Sequence, residues 1–366
     1  MERKIKILHI LPSLSRGGAE KICYDILTNL NREKFIPELI LFKDNGEGIK
    51  WKEELGKKNI KIINLKKNYL IDVVNFWQLV KEIKRFNPDI VHTHLGADVF
   101  GRIAACLANI KTIVATEHNI NKSEKKIITW LKGITSIKVD KIFAVSQAVK
   151  VDAIKRYKTK AEKFCVIHNG IDTNYFVSEE KHRSIDNRIT IGAMGRLTTQ
   201  KGFSILIESV EKIKEKNIEV IIAGQGDLEL ELKKRIGKLN LNDKVRLVGK
   251  VDPKKFLSQI DIFIFPSLWE GLGLAALEAG AMNVPIIASE TGGIKEIITN
   301  ESGFLFKTGD EGDLANKINY VISHLNTSEV EKRVVNARKV ISERFSLKKM
   351  IFDYSVWYEK LYYNKR

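Results

Sequence analysis

The chain contains no stretch approaching the roughly 20 uninterrupted apolar residues that a membrane-spanning helix requires. It is short of cysteine. Its three, Cys23, Cys106 and Cys165, are far apart, odd in number and flanked by apolar residues. That pattern excludes a disulfide framework or a cysteine metal knot and fits buried thiols in a reducing compartment. The N-terminus, MERKIKILHILPSL, lacks the small-residue cleavage site of a secretory signal and reads as a first strand. Neither zinc-finger spacing nor an aromatic RNA-binding signature occurs, so no nucleic-acid partner is expected.

Charge, by contrast, is plentiful and uneven. The net charge is +17 over 366 residues. Residues 1–177 hold 32 Lys/Arg against 19 Asp/Glu, a balance of +13, and the rest of the chain carries +4. A basic half fits an anionic partner, such as a phosphorylated substrate or an acidic membrane face. It also fits a plain lysine-rich, soluble composition.

Apolar, β-branched runs of strand length recur, each followed by a segment of helical periodicity. The first series is IKILHIL, PELILF, KIINL, DIVHTH, TIVATEH, KIFAVS and FCVIHN, and the second is ITIGAMG, EVIIAG, VRLVG, DIFIFP, PIIAS and GFLF. Runs apolar on both faces predict parallel strands covered by helices on each side. The fold class is therefore α/β, with two Rossmann-like doubly wound domains facing across a cleft. The seam is expected in the polar segment 170–188, giving domains 1–177 and 178–346, with the aromatic-rich helix of about 347–366 packing back on the first. Open parallel sheets bind ligands at the carboxyl ends of their strands.

Several motifs fall at those ends. GRLTTQKGF (195–203) follows the strand ITIGAM and offers Arg196 and Lys201. An Arg and a Lys five apart suit a diphosphate, the Arg by a bidentate grip and the Lys as a point charge; a solvated basic loop is the other reading. The spacing is not that of a Walker A loop. LSRGGAEK (14–21) is a glycine-rich turn opening a helix, where Gly17 and Gly18 leave N–H groups free to face an anion. AGQGD (223–227) lacks the third glycine of a dinucleotide fingerprint, so Gly224 and Gly226 are read as turn residues. His92, His94 and His118 also collect at strand ends. No carboxylate or cysteine lies at a ligand-like spacing around them in the sequence, so no metal site is expected. A polar contact from His118 to a sugar or phosphate is the better use.

The segment WEGLGLAALEAG (269–280) sets Glu270 and Glu278 eight apart among small and apolar residues. A helix is expected from about residue 272, with Gly271 and Gly273 at its positive end. If both glutamates were helical they would stand about 12 Å apart along the axis. That exceeds the roughly 5–9.5 Å of a glycosidase acid pair. A phosphate at the helix start, with a carboxylate on either side for hydroxyl groups, fits better.

In their order, GGAE, VHTH, EHN, AVSQAV, VIHNGID, GRLTTQKG, AGQGD and PSLWEGLGLAALEAG resemble the retaining GT-B glycosyltransferases of family 4 over nearly the whole chain. The resemblance implies transfer of a sugar from a nucleotide sugar, with UDP the family's frequent nucleotide, to a glycan or lipid-diphosphate-linked acceptor. It places Arg196 and Lys201 on the donor diphosphate, Glu278 on the ribose and Glu270 on the sugar hydroxyls. The backbone of Gly271, Leu272, Gly273 and Leu274, with Gly17 and Gly18, would complete the phosphate cradle, and His118 would sit beside the anomeric centre. Domain closure would bring donor to acceptor. Such enzymes need no metal or other cofactor, and the DxD metal motif is absent here. Leu272 stands where the family commonly has a bulkier residue, and Asn283 where glycine is frequent.

The same resemblance gives the basic half a use. NKSEKKIITWLKGITSIKVDK (121–141) spaces Ile127, Trp130, Leu131, Ile134 and Ile137 as on a helix, with Lys125, Lys126, Lys132 and Lys138 among them. A basic amphipathic helix can lie on an anionic membrane, which predicts a cytoplasmic protein peripheral to the inner face of the cell membrane. A surface helix packed on a sheet has the same pattern. Two other functions remain open at this level: a nucleotide-sugar epimerase of the same architecture, and a two-domain sugar- or nucleotide-binding protein.

Overall fold

The computed structural model describes residues 3–15, 17–44, 46–65, 73–122, 124–177 and 188–365. Residues 178–187 of the expected seam, Arg16 of the glycine-rich turn and Ser123 of the basic segment lie outside them.

The chain divides into two units, residues 1–169 with 348–366, and residues 170–347. The first unit thus ends eight positions before the 177 expected from composition. Its seven strands are β1 (Ile5–Leu11), β2 (Phe35–Leu41), β3 (Ile62–Asn64), β4 (Ile90–His94), β5 (Thr112–Glu117), β6 (Lys141–Ala144) and β7 (Phe164–Val166). All pairings are parallel, in the order β3-β2-β1-β4-β5-β6-β7. The second unit has β8 (Ile189–Met194), β9 (Ile218–Ala223), β10 (Val245–Leu247), β11 (Ile262–Phe265), β12 (Ile286–Ser289) and β13 (Phe304–Phe306), ordered β10-β9-β8-β11-β12-β13 and again parallel. Each apolar run of the sequence became one strand. The reason is burial: Leu8, Ile10, Val91 and Ile113 face one helix layer while Leu11, Leu39 and Leu41 face another, so both sides of the sheet must be apolar.

Each sheet has one topological switch point, where the chain finishes building outwards in one direction and returns to build in the other. In the first unit it lies between β1 and β4, and in the second between β8 and β11. In open α/β sheets the loops leaving two such strands diverge to opposite faces, and ligands bind in the crevice between them.

The helix Leu347–Tyr363 packs on the sheet of the first unit, where Tyr354 and Tyr358 are fully buried. Tyr354 meets the Phe143 ring edge-on at 5.3 Å, and the Tyr358 hydroxyl lies 2.7 Å from His92 Nδ1. Lys34 of the sheet unit pairs with Glu359 of the helix at 2.8 Å, and Lys365, just beyond the helix, pairs with Asp140 at 2.6 Å. The aromatic content of the tail therefore serves packing.

Candidate active site

In the second unit, the loops after β8 and β11 carry the predicted residues to one place. Gly202, at φ +62°, caps the helix Phe203–Val210, and any Cβ there would run into the Pro266 carbonyl. Glycine lets the two loops touch, and the contact is completed by Leu268 N–H donating to Gln200 O at 2.8 Å and Gln200 Nε2 donating to Trp269 O at 3.1 Å. Lys201 consequently points at Glu270, and its ammonium forms an ion pair with Oε2. The Lys201 Nζ also lies 5.0 Å from the centre of the Phe265 ring. Arg196, at the mouth of the loop, is exposed.

Glu270 is nearly buried. Its Oε1 accepts from Gly271 N–H at 3.3 Å, and its backbone carbonyl accepts from Gly293 N–H at 3.2 Å. Thr291 Oγ1 donates to Leu268 O at 3.2 Å from the same side. The turn Thr291-Gly292-Gly293, after β12, is thus the clamp on the glutamate loop. Sequence reasoning missed it, although a Thr-Gly-Gly turn directly after a buried strand was the available signal.

The helix begins two residues later than expected, spanning Leu274–Ala281 with Gly273 as its cap at φ +100°. Gly273 explains the shift, since this left-handed geometry turns the chain and the helical ladder starts only beyond it. Leu272 is buried and anchors the loop, and Leu274 and Glu278 are half-buried. Glu278 sits about one turn inside the helix, nearer its start than a helix from 272 implies. The second unit therefore brings Arg196, Lys201, Glu270, Gly271, Leu272, Gly273 and Leu274 to its switch point, with Glu278 on the helix that leaves it.

In the first unit, Gly17 and Gly18 open the helix Gly18–Asn29 directly after β1. The anion the turn meets is the chain's own: a side chain at Gly17 would strike the Glu20 carboxylate, which Ser15 Oγ holds at 2.7 Å. A carboxylate of the chain itself therefore stands beside Gly17.

At the same end of the sheet, β1, β4 and β5 present His9, His92, His94 and His118. His9 and His92 pair in register across the switch point. His94 Nδ1 lies 3.1 Å from His118 Nε2, and His94 Nε2 lies 3.1 Å from His9 Nδ1. His92 spends both nitrogens on hydroxyls, Tyr358 and Thr116, each at 2.7 Å. Burial holds all four neutral: it lowers His9 to about 3 and His118 to about 4, and it drives His92 and His94 well below the usual histidine range. Cys23 Sγ is 3.6 Å from His9 Nδ1. The sequence hid this neighbour, because His9 and Cys23 are distant from VHTH along the chain and meet it only through sheet order.

Beside His118 lies a buried charge cluster that sequence reasoning also missed. Lys132, assigned to a basic helix surface, is 3 % exposed. It lies 3.6 Å from Asp98, 3.6 Å from Glu117 and 2.9 Å from Glu124, while Arg102 lies 3.6 Å from Asp98 and 3.9 Å from Glu117. Burial works against the Lys132 charge, but Glu117 and Asp98 outweigh it and raise its pKa. Burial likewise works against the Glu117 charge, and Lys132 and Arg102 outweigh that and keep it below the ordinary carboxylate range. Lys125, Lys126 and Lys138 remain exposed as expected, with Ile127, Trp130, Ile134 and Ile137.

Two parallel sheets, the second with a basic loop and a glycine-capped helix at its strand ends, define an α/β class shared with known proteins. Residues 176–340 match the family described as Glycosyl transferases group 1, and residues 16–175 match Glycosyltransferase Family 4. The chain belongs to this family of GT-B glycosyltransferases. It is 28 % identical over 386 residues to the Escherichia coli UDP-Gal:alpha-D-GlcNAc-diphosphoundecaprenol alpha-1,3-galactosyltransferase, covering 96 % of this chain and 97 % of that one. It is 32 % identical over 280 residues to an uncharacterized glycosyltransferase of Methanocaldococcus jannaschii, covering 68 % and 69 %. Among solved structures, a glycosyltransferase from Rickettsia africae superposes with TM-score 0.83 at 26 % identity, covering 98 % of this chain and 99 % of that one. Anabaena HepE in complex with UDP-glucose shares the fold with TM-score 0.86 at 23 % identity, covering 97 % and 100 %.

Proposed function

We propose that this glycosyltransferase moves a sugar from a UDP-sugar to a lipid-diphosphate-linked saccharide, with retention of anomeric configuration and without a divalent metal. The observation that carries the reading is the convergence at one switch point of Arg196, Lys201, the helix start after Gly273, and Glu270. Lys201 held by Glu270, Arg196 at the mouth of the loop and a helix N-terminus would stabilise a departing diphosphate, which is the work a metal does elsewhere. The donor identity is supported by the E. coli relative, whose name specifies UDP-galactose, and by the UDP-glucose complex of HepE. The acceptor class is supported by the diphosphoundecaprenol in the same relative's name.

In this reading Arg196 and Lys201 hold the diphosphate, Glu278 binds the ribose and Glu270 the sugar hydroxyls, with His118 acting on the sugar. The bond from the anomeric carbon to the phosphate oxygen breaks and the pair leaves with UDP. The acceptor oxygen bonds the same face of that carbon, and its proton passes to the departing phosphate oxygen. Incubation with a panel of UDP-sugars in EDTA tests this. Transfer, or slow donor hydrolysis without acceptor, is expected, with an anomerically retained product by NMR. An isomerised donor would instead identify an epimerase.

The first unit also supports peripheral attachment to an anionic membrane. Ile127, Trp130, Ile134 and Ile137 are 45–69 % exposed, flanked by exposed Lys125, Lys126 and Lys138. On the helix Val73–Phe86, two helices away in the same layer, Val73, Val74 and Trp77 are exposed too. Among the described residues no helix is long and apolar enough to cross a membrane. Sedimentation with anionic liposomes at low salt is expected, and its absence would overturn the attachment.

A further inference from the structure

Four groups of the first unit are joined by contacts: Cys23 Sγ and His94 Nε2 both meet His9 Nδ1, at 3.6 and 3.1 Å, and His94 Nδ1 meets His118 Nε2 at 3.1 Å. The nitrogen–nitrogen separations are those of direct hydrogen bonds. A neutral imidazole carries one proton, so one nitrogen donates and the other accepts. Each ring-to-ring contact needs one N–H and one lone pair. The tautomers are therefore locked to one another: all three rings are protonated on Nε2, or all three on Nδ1.

The two states differ at their ends. His9 Nε2 and His118 Nδ1 are enclosed and have no partner, so either state leaves one N–H unpaired, and that cost is shared. Cys23 breaks the tie. Its thiol is fully buried and keeps its proton, since burial and the nearby Glu20 and Asp25 raise its pKa. With the Nε2–H state, the His9 Nδ1 lone pair accepts from His94 Nε2–H and is shared with the thiol proton as a second, longer donor. With the Nδ1–H state, the thiol faces another donor.

We propose that Cys23, His9 and His94 are positioning residues that hold His118 as its Nε2–H tautomer, with the lone pair on the enclosed Nδ1. The functional half rests on the role of His118 proposed above. A metal is the competing use, because His9, His92 and His94 offer nitrogens within 4.8 Å of one another. His92 argues against it, with both nitrogens committed to hydroxyls.

Long-range 15N NMR of histidine-labelled full-length protein, assigned by single substitutions among its seven histidines, reads the tautomers directly. His9, His94 and His118 are expected to be neutral and Nε2-protonated together. A different tautomer at any one of them, or stoichiometric zinc in the purified protein, overturns the relay. His94→Phe should scramble His118 between tautomers and lower kcat for the UDP-sugar that the wild type turns over by roughly tenfold or more, with KM little changed. His94→Gln, whose amide can donate towards His9 and accept from His118, should restore both. Cys23→Ala should release the bias and Cys23→Ser retain it. An unchanged His118 tautomer in His94→Phe overturns the relay. A scrambled tautomer with unchanged kcat overturns instead the role of His118 in the reaction.

Discussion

Lys201 and Glu270, 69 residues apart in the chain, form an ion pair at the switch point of the second sheet. The pair satisfies two largely buried charges and fixes the lysine that is proposed to hold the diphosphate. Lys201→Ala removes a charge-assisted contact worth about 1.5–3 kcal/mol, so UDP should bind roughly 10- to 150-fold more weakly by calorimetry. Arg196→Ala should also weaken binding. Unchanged affinity in both variants would separate this loop from the diphosphate.

Glu270→Ala should act differently. Its carboxylate is held by Lys201, Gly271 N–H and Ser267 Oγ, and its backbone carbonyl by Gly293 N–H, at the side of the site assigned to the sugar. Turnover and discrimination among UDP-sugars should suffer while UDP affinity changes little. A selective loss of UDP affinity with normal turnover at saturation would reverse the assignment.

The histidine line should make the first unit acid-sensitive. His9 and His118 titrate at about 3 and about 4 in the folded state, below the ordinary value of 6.5. The unfolded chain therefore binds more protons in this window, and stability rises with pH. It is complete above about 6.5 and is lost progressively as pH falls towards the folded values. Thermal unfolding should show a lower midpoint at pH 5.0 than at pH 7.5, and a smaller difference in His9→Phe. Equal midpoints in the wild type would contradict the neutral stack.

Lys132 faces Asp98, Glu117 and Glu124 from within the protein. Lys132→Met should cost about 3–5 kcal/mol, because it strands buried carboxylates without their cation. Denaturant unfolding checks this, and a loss below about 1 kcal/mol would mean that the cluster is hydrated.

The exposed apolar face carries a prediction of the opposite kind. Lys125→Glu with Lys126→Glu should weaken liposome binding at about 1 kcal/mol per lysine removed, leaving folding intact. Trp130→Glu should do so through lost apolar contact. Sedimentation at low salt reads both, and wild-type binding in all variants would dismiss this face.

All thirteen strands among the described residues were legible in the sequence because parallel strands covered on both sides need continuous apolar runs. Arg196, Lys201 and Glu270 were legible for a related reason, as charged residues at the ends of such runs. What remained hidden depends on pairing across the sheet. His9 looked like one polar residue in the first strand until sheet order set it beside His92 and His94. Lys132 looked like part of a basic surface because helical spacing reports which residues share a face and not where a neighbouring Asp98 or Glu117 lies. The start of the helix at Leu274 was missed by two residues, since a left-handed Gly273 cannot be told from a helical glycine by its letter.

Glu278 and the start of its helix are together proposed to form the nucleotide site. Calorimetric titration of UDP in EDTA into the wild type and Glu278→Ala tests this most directly. Binding by the wild type without metal, weakened roughly tenfold or more in the variant through loss of a carboxylate hydrogen bond, is the predicted result. Equal affinity in the two proteins, or no binding until a divalent cation is added, would contradict it.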